Sequence, residues 1–256
     1  MNTPNQQPHV GLLVTCLVDT MRPSAGFAAV KLLRDAGAKV SVPAAQTCCG
    51  QPAYNAGDNE DAAAIARQVI DAFEPFDYVV VPSGSCAGML AKHYPGLFEE
   101  GSKDHARALQ LAQKTHELVA FLHDVMKVEK LDARFSGTVT YHDSCSGLRE
   151  LNIQHQPRAL LAMIEGLELV EMDEAEICCG FGGMFCVRYP DISNDMVAKK
   201  CASIGRSGAD TVLAGDLGCL LNISGKLKRM NSAVKVRHIA EVLAGDCDTP
   251  ALAEGD

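Results

Sequence analysis

One cysteine spacing occurs twice in this chain of 256 residues. In each copy a single cysteine precedes an adjacent Cys-Cys-Gly triplet, and a further single cysteine follows it. The first gap is 32 residues in one copy and 33 in the other, and the second gap is 37 and 40 residues. The cysteines are Cys16, Cys48, Cys49, Cys86, Cys145, Cys178, Cys179 and Cys219. Because chance rarely repeats a three-part spacing so closely, the pattern predicts a duplicated unit whose thiolates gather around a soft metal centre.

The duplication divides the chain into two halves of ordinary domain size. We predict a first repeat over residues 1–126, a linker over 127–137 and a second repeat over 138–256. A second sequence similarity between the halves supports this division, since the segment that begins at Thr115-His116 resembles the one that begins at Arg237-His238.

Strand and helix patterns alternate in both halves. Strands are predicted at Val10–Val14, Lys39–Val42, Tyr78–Val81, Thr138–Tyr141, Glu168–Glu171 and Thr211–Leu213. Helices are predicted at Phe27–Ala36, Asp58–Phe73, Arg158–Glu165 and Ser193–Ile204, and from Cys86 and Cys219 onward. This βαβαβα order, given twice, predicts an α/β protein of two pseudo-twofold-related, open and mostly parallel Rossmann-like halves. Because the cysteines follow strand ends, they should converge at the carboxyl edge of each sheet.

Charge and hydropathy exclude several classes of function. A formal net charge of -9 argues against a nucleic-acid partner and against docking on anionic lipid. No apolar stretch approaches the length of a membrane span, and the polar N-terminal residues Met1–His9 do not read as a secretory signal. We therefore expect a cytoplasmic protein whose thiols are kept reduced, where metal binding or redox chemistry is favoured over structural disulfides.

The adjacent cysteines require a sharp turn, because neighbouring side chains on an extended backbone point in opposite directions. Gly50 and Gly180, which follow the two pairs, permit such a turn. Gly182 and Gly183 extend the second loop and leave backbone N–H groups free to approach cluster sulfides. Zinc sites typically show two tight Cys-x₂₋₄-Cys pairs, so the scattered cysteines favour an iron-sulfur cluster.

Other candidate residues are fewer. His142 lies three residues before Cys145, where it either donates to a cluster thiolate or satisfies a backbone carbonyl. Structural roles are expected for His116 and His238, and packing roles for Cys186, Cys201 and Cys247. No nucleophile-and-base arrangement is visible, so no catalytic residue is assigned.

Taken together, these motifs resemble the cysteine-rich CCG-domain family, to which the CCG-containing subunit of heterodisulfide reductase and the iron-sulfur subunit of glycolate oxidase belong. The similarity runs from Val10 to about Gly245 and includes Cys48-Cys49-Gly50-Gln51-Pro52 and Cys178-Cys179-Gly180-Phe181-Gly182-Gly183. The resemblance implies an iron-sulfur electron-transfer subunit of a complex that oxidises L-lactate, a 2-hydroxy acid. Such a subunit would relay electrons, and its partners would be a ferredoxin-like iron-sulfur subunit and a third subunit of a lactate utilization system.

The chain departs from heterodisulfide reductase at one position in each half. There the last cysteine belongs to a Cys-x-x-Cys element, whereas here its first position is Ser83 or Asp216. Each half thus keeps four cysteines, which suit one ordinary [4Fe-4S] cluster per filled site, with Asp216 a candidate weak oxygen ligand. Two alternatives remain open at this point: cluster-based thiol/disulfide catalysis, and a structural module with zinc at one or both sites.

Overall fold

The structure, a computed structural model, describes residues 7–254. Most of the N-terminal stretch Met1–His9 therefore lies outside the described residues. The chain forms two compact units. The first contains residues up to Pro82 and Cys86–Val128, and the second contains Ser83–Ser85 and the residues from Glu129 onward.

The first unit is built on four parallel strands in the order β2-β1-β3-β4. The strands are β1 (His9–Leu12), β2 (Lys39–Ser41), β3 (Tyr78–Val81) and β4 (Thr115–Glu117). The helices are α1 (Cys16–Met21), α2 (Pro23–Asp35), α3 (Gln51–Ala56), α4 (Asn59–Phe73), α5 (Gly84–Gly88), α6 (Lys103–Lys114) and α7 (Leu118–Ala120), with π-helical turns at Met89–His93 and Phe121–Val125 and a 3₁₀ turn at Pro95–Leu97. Three consecutive residues of β3, Val79 to Val81, are fully buried, so both faces of this sheet are covered.

The second unit repeats this topology with strands in the order β6-β5-β7-β8, again all parallel. Its strands are β5 (Arg134–Tyr141), β6 (Glu165–Leu169), β7 (Thr211–Ala214) and β8 (Lys235–His238). Its helices are α8 (Cys145–Leu151), α9 (His155–Leu161), α10 (Met184–Arg188), α11 (Pro190–Ser207), α12 (Leu217–Arg229) and α13 (Ile239–Leu243). The predicted α/β class with two parallel halves is confirmed.

Local sequence signals explain where the main helices begin. Asp58 precedes α4 and accepts a hydrogen bond from the Asp61 N–H at 3.1 Å, and Ser102 does the same for α6. Proline opens α2 and α11, where its missing N–H has no intrahelical partner to lose. The helix starts marked by these caps and prolines agree with the buried apolar faces of the helices. Each of these helices lies between two successive strands of the chain.

Several elements differ from the expectations, most of them at the sheet edges and in the segment between the two repeats. Each unit gains a fourth strand, β4 or β8, at the start of the two segments whose similarity indicated the duplication. Strand β6 begins at Glu165 rather than Glu168, so α9 ends at Leu161. Strand β5 begins at Arg134, inside the segment 127–137 expected to be a linker. Its polar, partly exposed start pairs with Glu165 at the sheet edge, where apolar patterning gives no signal.

Among the described residues, no helix combines the length and apolarity needed to cross a membrane.

Candidate metal centres

The lone cysteines stand at equivalent places in the two sheets. Cys16 is the first residue of α1, just after β1, and Cys145 is the first residue of α8, just after β5. Cys86 and Cys219 lie in α5 and α12, after β3 and β7, which are the neighbouring strands in their sheets. In each unit the chain leaves the first of these two strands towards one edge of the sheet and leaves the second towards the other edge. The crevice between two such strands is where open α/β sheets bind ligands.

In the first unit the four patterned cysteines come together. The Sγ atoms of Cys16 and Cys48 lie 3.8 Å apart, and those of Cys49 and Cys86 lie 3.3 Å apart. Cys49 is only 3 % exposed, whereas Cys16 reaches the surface. We call these residues the first quartet.

The second unit contains a matching second quartet of Cys145, Cys178, Cys179 and Cys219. The Cys145 thiol contacts that of Cys178, and the Cys179 thiol contacts that of Cys219. This quartet is more deeply buried, since both Cys179 and Cys219 are covered. The structure therefore brings together all eight cysteines that the spacing selected, four in each unit.

Glycine makes the turn that each cysteine pair requires. Gly50 and Gly180 have φ angles of 79° and 81°, in the left-handed region that residues with a Cβ avoid. The turn also aims a backbone donor at the first cysteine of the second pair, where the Gly180 N–H lies 3.4 Å from the Cys178 Sγ. Gly182 and Gly183 also have positive φ angles and lead into α10. That their backbone N–H groups approach the sulfides of a cluster stays a prediction.

Different side chains hold the two turns in place. The buried Tyr94 hydroxyl donates to the carbonyl of Cys49 at 2.9 Å. In the second unit the Asn222 side-chain amide donates to the carbonyl of Cys179, also at 2.9 Å. Sequence reasoning missed both residues, because a tyrosine eight positions after Cys86 and an asparagine three positions after Cys219 share no pattern.

Close packing prevents the first quartet from ionising together. The Cys48 thiol, followed by burial, raises the pKa of Cys16, and the same neighbour raises the pKa of Cys49 well above its ordinary value. The pKa of Cys48 itself is lowered, because the Cys16 and Cys49 thiols donate to it and the Gly50 N–H faces it. The Cys48 thiolate is therefore favoured beside the Cys16 and Cys49 thiols, which resist ionisation.

In the second quartet, too, a neighbouring thiol opposes ionisation, because contact with Cys178 and burial raise the pKa of Cys145. Full ionisation of either quartet needs a bound cation, and a thiolate-binding metal centre supplies one.

His142 lies beside the second quartet. One of its ring nitrogens and the Sγ atoms of Cys179 and Cys219 all lie within 4.8 Å of one another, and all three residues are buried. Burial, with a smaller contribution from the Lys200 ammonium, lowers the pKa of His142 to about 3. The imidazole is therefore neutral near pH 7 and keeps a lone pair for a metal or a single N–H for an acceptor.

A buried cation also lies in this part of the second unit. Lys200 is 2 % exposed and donates from Nζ to the carbonyls of Glu174 and Ala175. Nothing in the helical pattern of α11 marks this lysine, so sequence reasoning missed it.

Asp216 is occupied by hydrogen bonds within the second unit. Its Oδ1 accepts from the Gly218 N–H at 3.1 Å, which caps α12. Its Oδ2 accepts from the Ser83 hydroxyl at 3.1 Å and from the Ser85 N–H at 2.9 Å. The two residues that replace the family's extra cysteine are thus bonded to each other, and the Asp216 carboxylate serves as a cap.

Four of the other cysteines and histidines singled out in the sequence make local contacts. Cys201 is buried against the carbonyl of Ile223, and Cys186 contacts the carbonyl of Gly183. His238 caps α13 within a capping box, and His116 packs its ring against Tyr78 and Phe121. Each of these four side chains thus has a local structural contact.

Each quartet suits a thiolate-bound metal centre. Four sulfur donors meet at the edge of each sheet, and a backbone N–H group faces one thiol of each quartet. An imidazole that forms no hydrogen bond of good geometry among the described residues lies beside the second quartet. The eight quartet cysteines would hold the metal or cluster, which when bound as [4Fe-4S] supplies reversible one-electron redox chemistry.

Comparisons with known proteins agree with this site. The family model of the cysteine-rich domain, CCG, matches residues 10–91 and 139–224, which include all eight quartet cysteines. The solved structure of a hypothetical protein from Helicobacter pylori has a similar fold, with a TM-score of 0.64 and 12 % identity over 94 % of this chain and 49 % of that chain. The chain therefore spans about half of that protein, and the likeness concerns the fold alone.

Curated relatives are much closer in sequence. Lactate utilization protein A of Geobacillus kaustophilus (strain HTA426) is 48 % identical over 91 % of this chain and 98 % of the relative. The protein of the same name from Geobacillus sp. (strain WCH70) is 47 % identical over the same shares. On this evidence the chain belongs to the cysteine-rich CCG-domain family and, within it, to the group named lactate utilization protein A.

Proposed function

We propose that this protein takes part in lactate utilization as an iron-sulfur electron-transfer subunit of a complex that oxidises L-lactate. The observation that carries the proposal is the convergence of four cysteines at the switch point of each sheet, in a chain whose relatives are named for lactate utilization. Oxidation of L-lactate to pyruvate releases two electrons and two protons, so the complex needs one-electron carriers that pass the electrons onward.

The chain's own residues supply what a relay needs. The quartet thiolates would hold the centre, and the buried Cys49 and Cys179 would shield its inner side from water. N–H groups such as that of Gly180 stabilise negative charge on sulfur and so favour the reduced state. No role in binding lactate is proposed for the described residues.

Access to the first quartet is open. A cleft of about 380 Å³ borders Cys16 and Cys48, and its other walls include Thr15, Asp19 and Gln46. Cys16 is exposed, so a redox partner docked at this cleft would reach the first centre directly. We propose that the partner is a ferredoxin-like iron-sulfur subunit, accompanied by a third subunit. A cytoplasmic location belongs to the same proposal.

A second candidate function is a structural zinc module. A tetrahedral metal with bonds of about 2.3 Å separates its sulfur ligands by about 3.8 Å. The Sγ atoms of Cys16 and Cys48 show this spacing. The vicinal cysteine pairs favour the cluster, and metal analysis separates the two candidates.

Complementation tests the physiological role. A bacterial strain that has lost its own copy of this gene, and with it growth on L-lactate, should regain growth with the wild-type chain. Variants Cys49→Ser and Cys179→Ser should not restore growth, whereas Cys201→Ser, a buried cysteine outside both quartets, should. Growth on L-lactate that is equal with all four genes would contradict the proposal.

A further inference from the structure

The buried imidazole of His142 forms no hydrogen bond of good geometry within the part of the chain that the structure describes. The polar group nearest to serving it is the carbonyl of Ala175, which already accepts from the Asp143 N–H and from Lys200 Nζ, each at 3.2 Å. Burial of a polar group without a partner is costly, so such a group in a folded protein calls for an explanation. A bound partner that is not part of the polypeptide is one such explanation.

The surroundings of the ring indicate a metal as that partner. A ring nitrogen of His142 lies within 4.8 Å of the Sγ atoms of both Cys179 and Cys219. The backbone of His142 is fixed at the sheet, because its N–H donates to the carbonyl of Leu213 at 2.8 Å. The imidazole is therefore held at the end of β5 and faces the second quartet.

The first repeat has no side-chain nitrogen at the equivalent position. His142 lies three residues before Cys145, and the residue three positions before Cys16 is Leu13, which is fully buried. A leucine satisfies an apolar environment by packing alone, so the repeat itself does not require a histidine here. The difference is thus specific to the second quartet.

We propose that His142 coordinates the metal of the second centre through an imidazole nitrogen, so that this centre has a nitrogen ligand that the first centre lacks. The inference rests on the proposed function only in requiring a metal at the quartet. A [4Fe-4S] cluster takes one protein ligand at each of its four irons, so His142 would bind in place of one of the four thiolates, and replacement of thiolate by imidazole raises the reduction potential of iron-sulfur centres. The second centre should therefore be reduced before the first.

Pulsed EPR on the full-length, anaerobically purified protein tests this directly. Cys16→Ser together with Cys86→Ser removes ligands of the first centre, so that the dithionite-reduced signal comes from the second. The expected spectrum contains the strong coupling of a directly bound nitrogen, which changes to the ¹⁵N pattern when the protein is labelled with ¹⁵N-histidine. Only weak coupling, of the size that a hydrogen bond gives, or none at all, would overturn the proposal.

Substitution variants assign the nitrogen. His142→Leu introduces the residue found at position 13 of the first repeat, and it should abolish the coupling and lower the midpoint potential of the second centre. The matched control His116→Leu, a partly buried histidine in the first unit, should change neither. Coupling that persists in His142→Leu would overturn the assignment. If His142→Leu folds poorly, the ¹⁵N-histidine experiment, in which His142 is retained, still shows whether a histidine nitrogen binds the metal.

Metal content separates failure of this inference from failure of the proposed function. Iron and sulfide without nitrogen coupling would overturn the histidine ligand alone. Zinc without sulfide would overturn the relay, and Co²⁺ substitution would then test His142, whose replacement by leucine should shift the visible bands of the Co²⁺ protein. Identical Co²⁺ spectra would overturn the ligand assignment, and absence of any metal would overturn both proposals.

Discussion

The Sγ atoms of Cys49 and Cys86 lie 3.3 Å apart, although 37 residues separate them in the chain. The contact exists because the Cys49 loop and α5 meet where β1 and β3 end at the same edge of the sheet. A buried thiol packed this closely against others is a poor structural device, since the Cys48 and Cys86 thiols raise the pKa of Cys49 well above its ordinary value. The arrangement of Cys49 and Cys86 is explained by a ligand that takes both as thiolates.

Loss of one quartet cysteine should remove one centre. Cys49→Ser replaces a soft sulfur donor by a weaker oxygen ligand, so we expect the metal content of anaerobically purified protein to fall by about half, with the second centre retained. Elemental analysis and the reduced EPR signal provide the measurement. Cys201→Ser is the matched control, because Cys201 is equally buried but contacts only the carbonyl of Ile223. Equal metal content in both variants would contradict the assignment.

The turn at Gly180 should tolerate no side chain. A Cβ there would lie 2.8 Å from the Ser193 carbonyl oxygen and 2.9 Å from the Met196 Cβ, in addition to the strain of a positive φ. Gly208→Ala is the control, since its φ is 72° but its Cβ would meet nothing within 4 Å. We expect the free energy of unfolding to fall by about 1–2 kcal/mol for Gly208→Ala from backbone strain. For Gly180→Ala the free energy of unfolding should fall by more, about 3 kcal/mol or above, because the contacts with Ser193 and Met196 add to that strain.

Urea unfolding of the metal-free proteins measures both changes. Equal losses in the two glycine variants would show that the neighbouring backbone of α11 does not confine the second turn.

The Tyr94 hydroxyl should stabilise the first quartet through its bond to the Cys49 carbonyl. Tyr94→Phe leaves that carbonyl without its donor in a buried position, so the free energy of unfolding should fall by about 1–3 kcal/mol. The released turn should also lose metal to a chelator faster. Tyr54→Phe is the control, because the Tyr54 hydroxyl meets His93 Nδ1 at 3.3 Å in a partly exposed position. Unchanged stability and metal loss in Tyr94→Phe would contradict this role.

The stability of the metal-free protein should fall with pH below about 6.5. Burial lowers the pKa of His116, against a smaller opposing contribution from Asp124, so the unfolded chain takes up a proton at higher pH than the folded one. The unfolded state thus binds more protons in this window, and stability rises with pH there. His116→Leu should lose less stability than wild type between pH 7.5 and pH 5.

Urea unfolding at the two pH values provides this comparison. The exposed His155→Leu should behave as wild type does. A His116→Leu protein with the wild-type pH dependence would refute the role of His116.

Much of the fold could be predicted from the sequence, because burial on both faces gives central strands such as Tyr78–Val81 a continuous apolar run. The edge strands β4, β6 and β8 were missed or misplaced. They are short or carry charged residues on exposed positions, as Glu165 and Lys235 do, so neither alternation nor an apolar run marks them.

The candidate site divides in the same way. A duplicated spacing identified the eight quartet cysteines and the turn glycines. Cysteine is recognisable in a sequence as a metal ligand, and glycine as the residue that allows a positive φ. Tyr94, Asn222 and Lys200 could not be predicted, since each acts through a contact that only the packed fold creates. His142 is an intermediate case: its position three residues before Cys145 is visible in the sequence, but its full burial without a hydrogen bond of good geometry among the described residues is not.

The central claim is that the two quartets hold iron-sulfur centres, and metal analysis of anaerobically purified full-length protein tests it most directly. Iron, acid-labile sulfide and zinc should be measured on the same sample, with EPR spectra before and after dithionite. The account predicts equal amounts of iron and sulfide, about four of each per filled quartet, and a signal that appears on reduction. Zinc without sulfide, unchanged after anaerobic reconstitution with iron and sulfide, would contradict it.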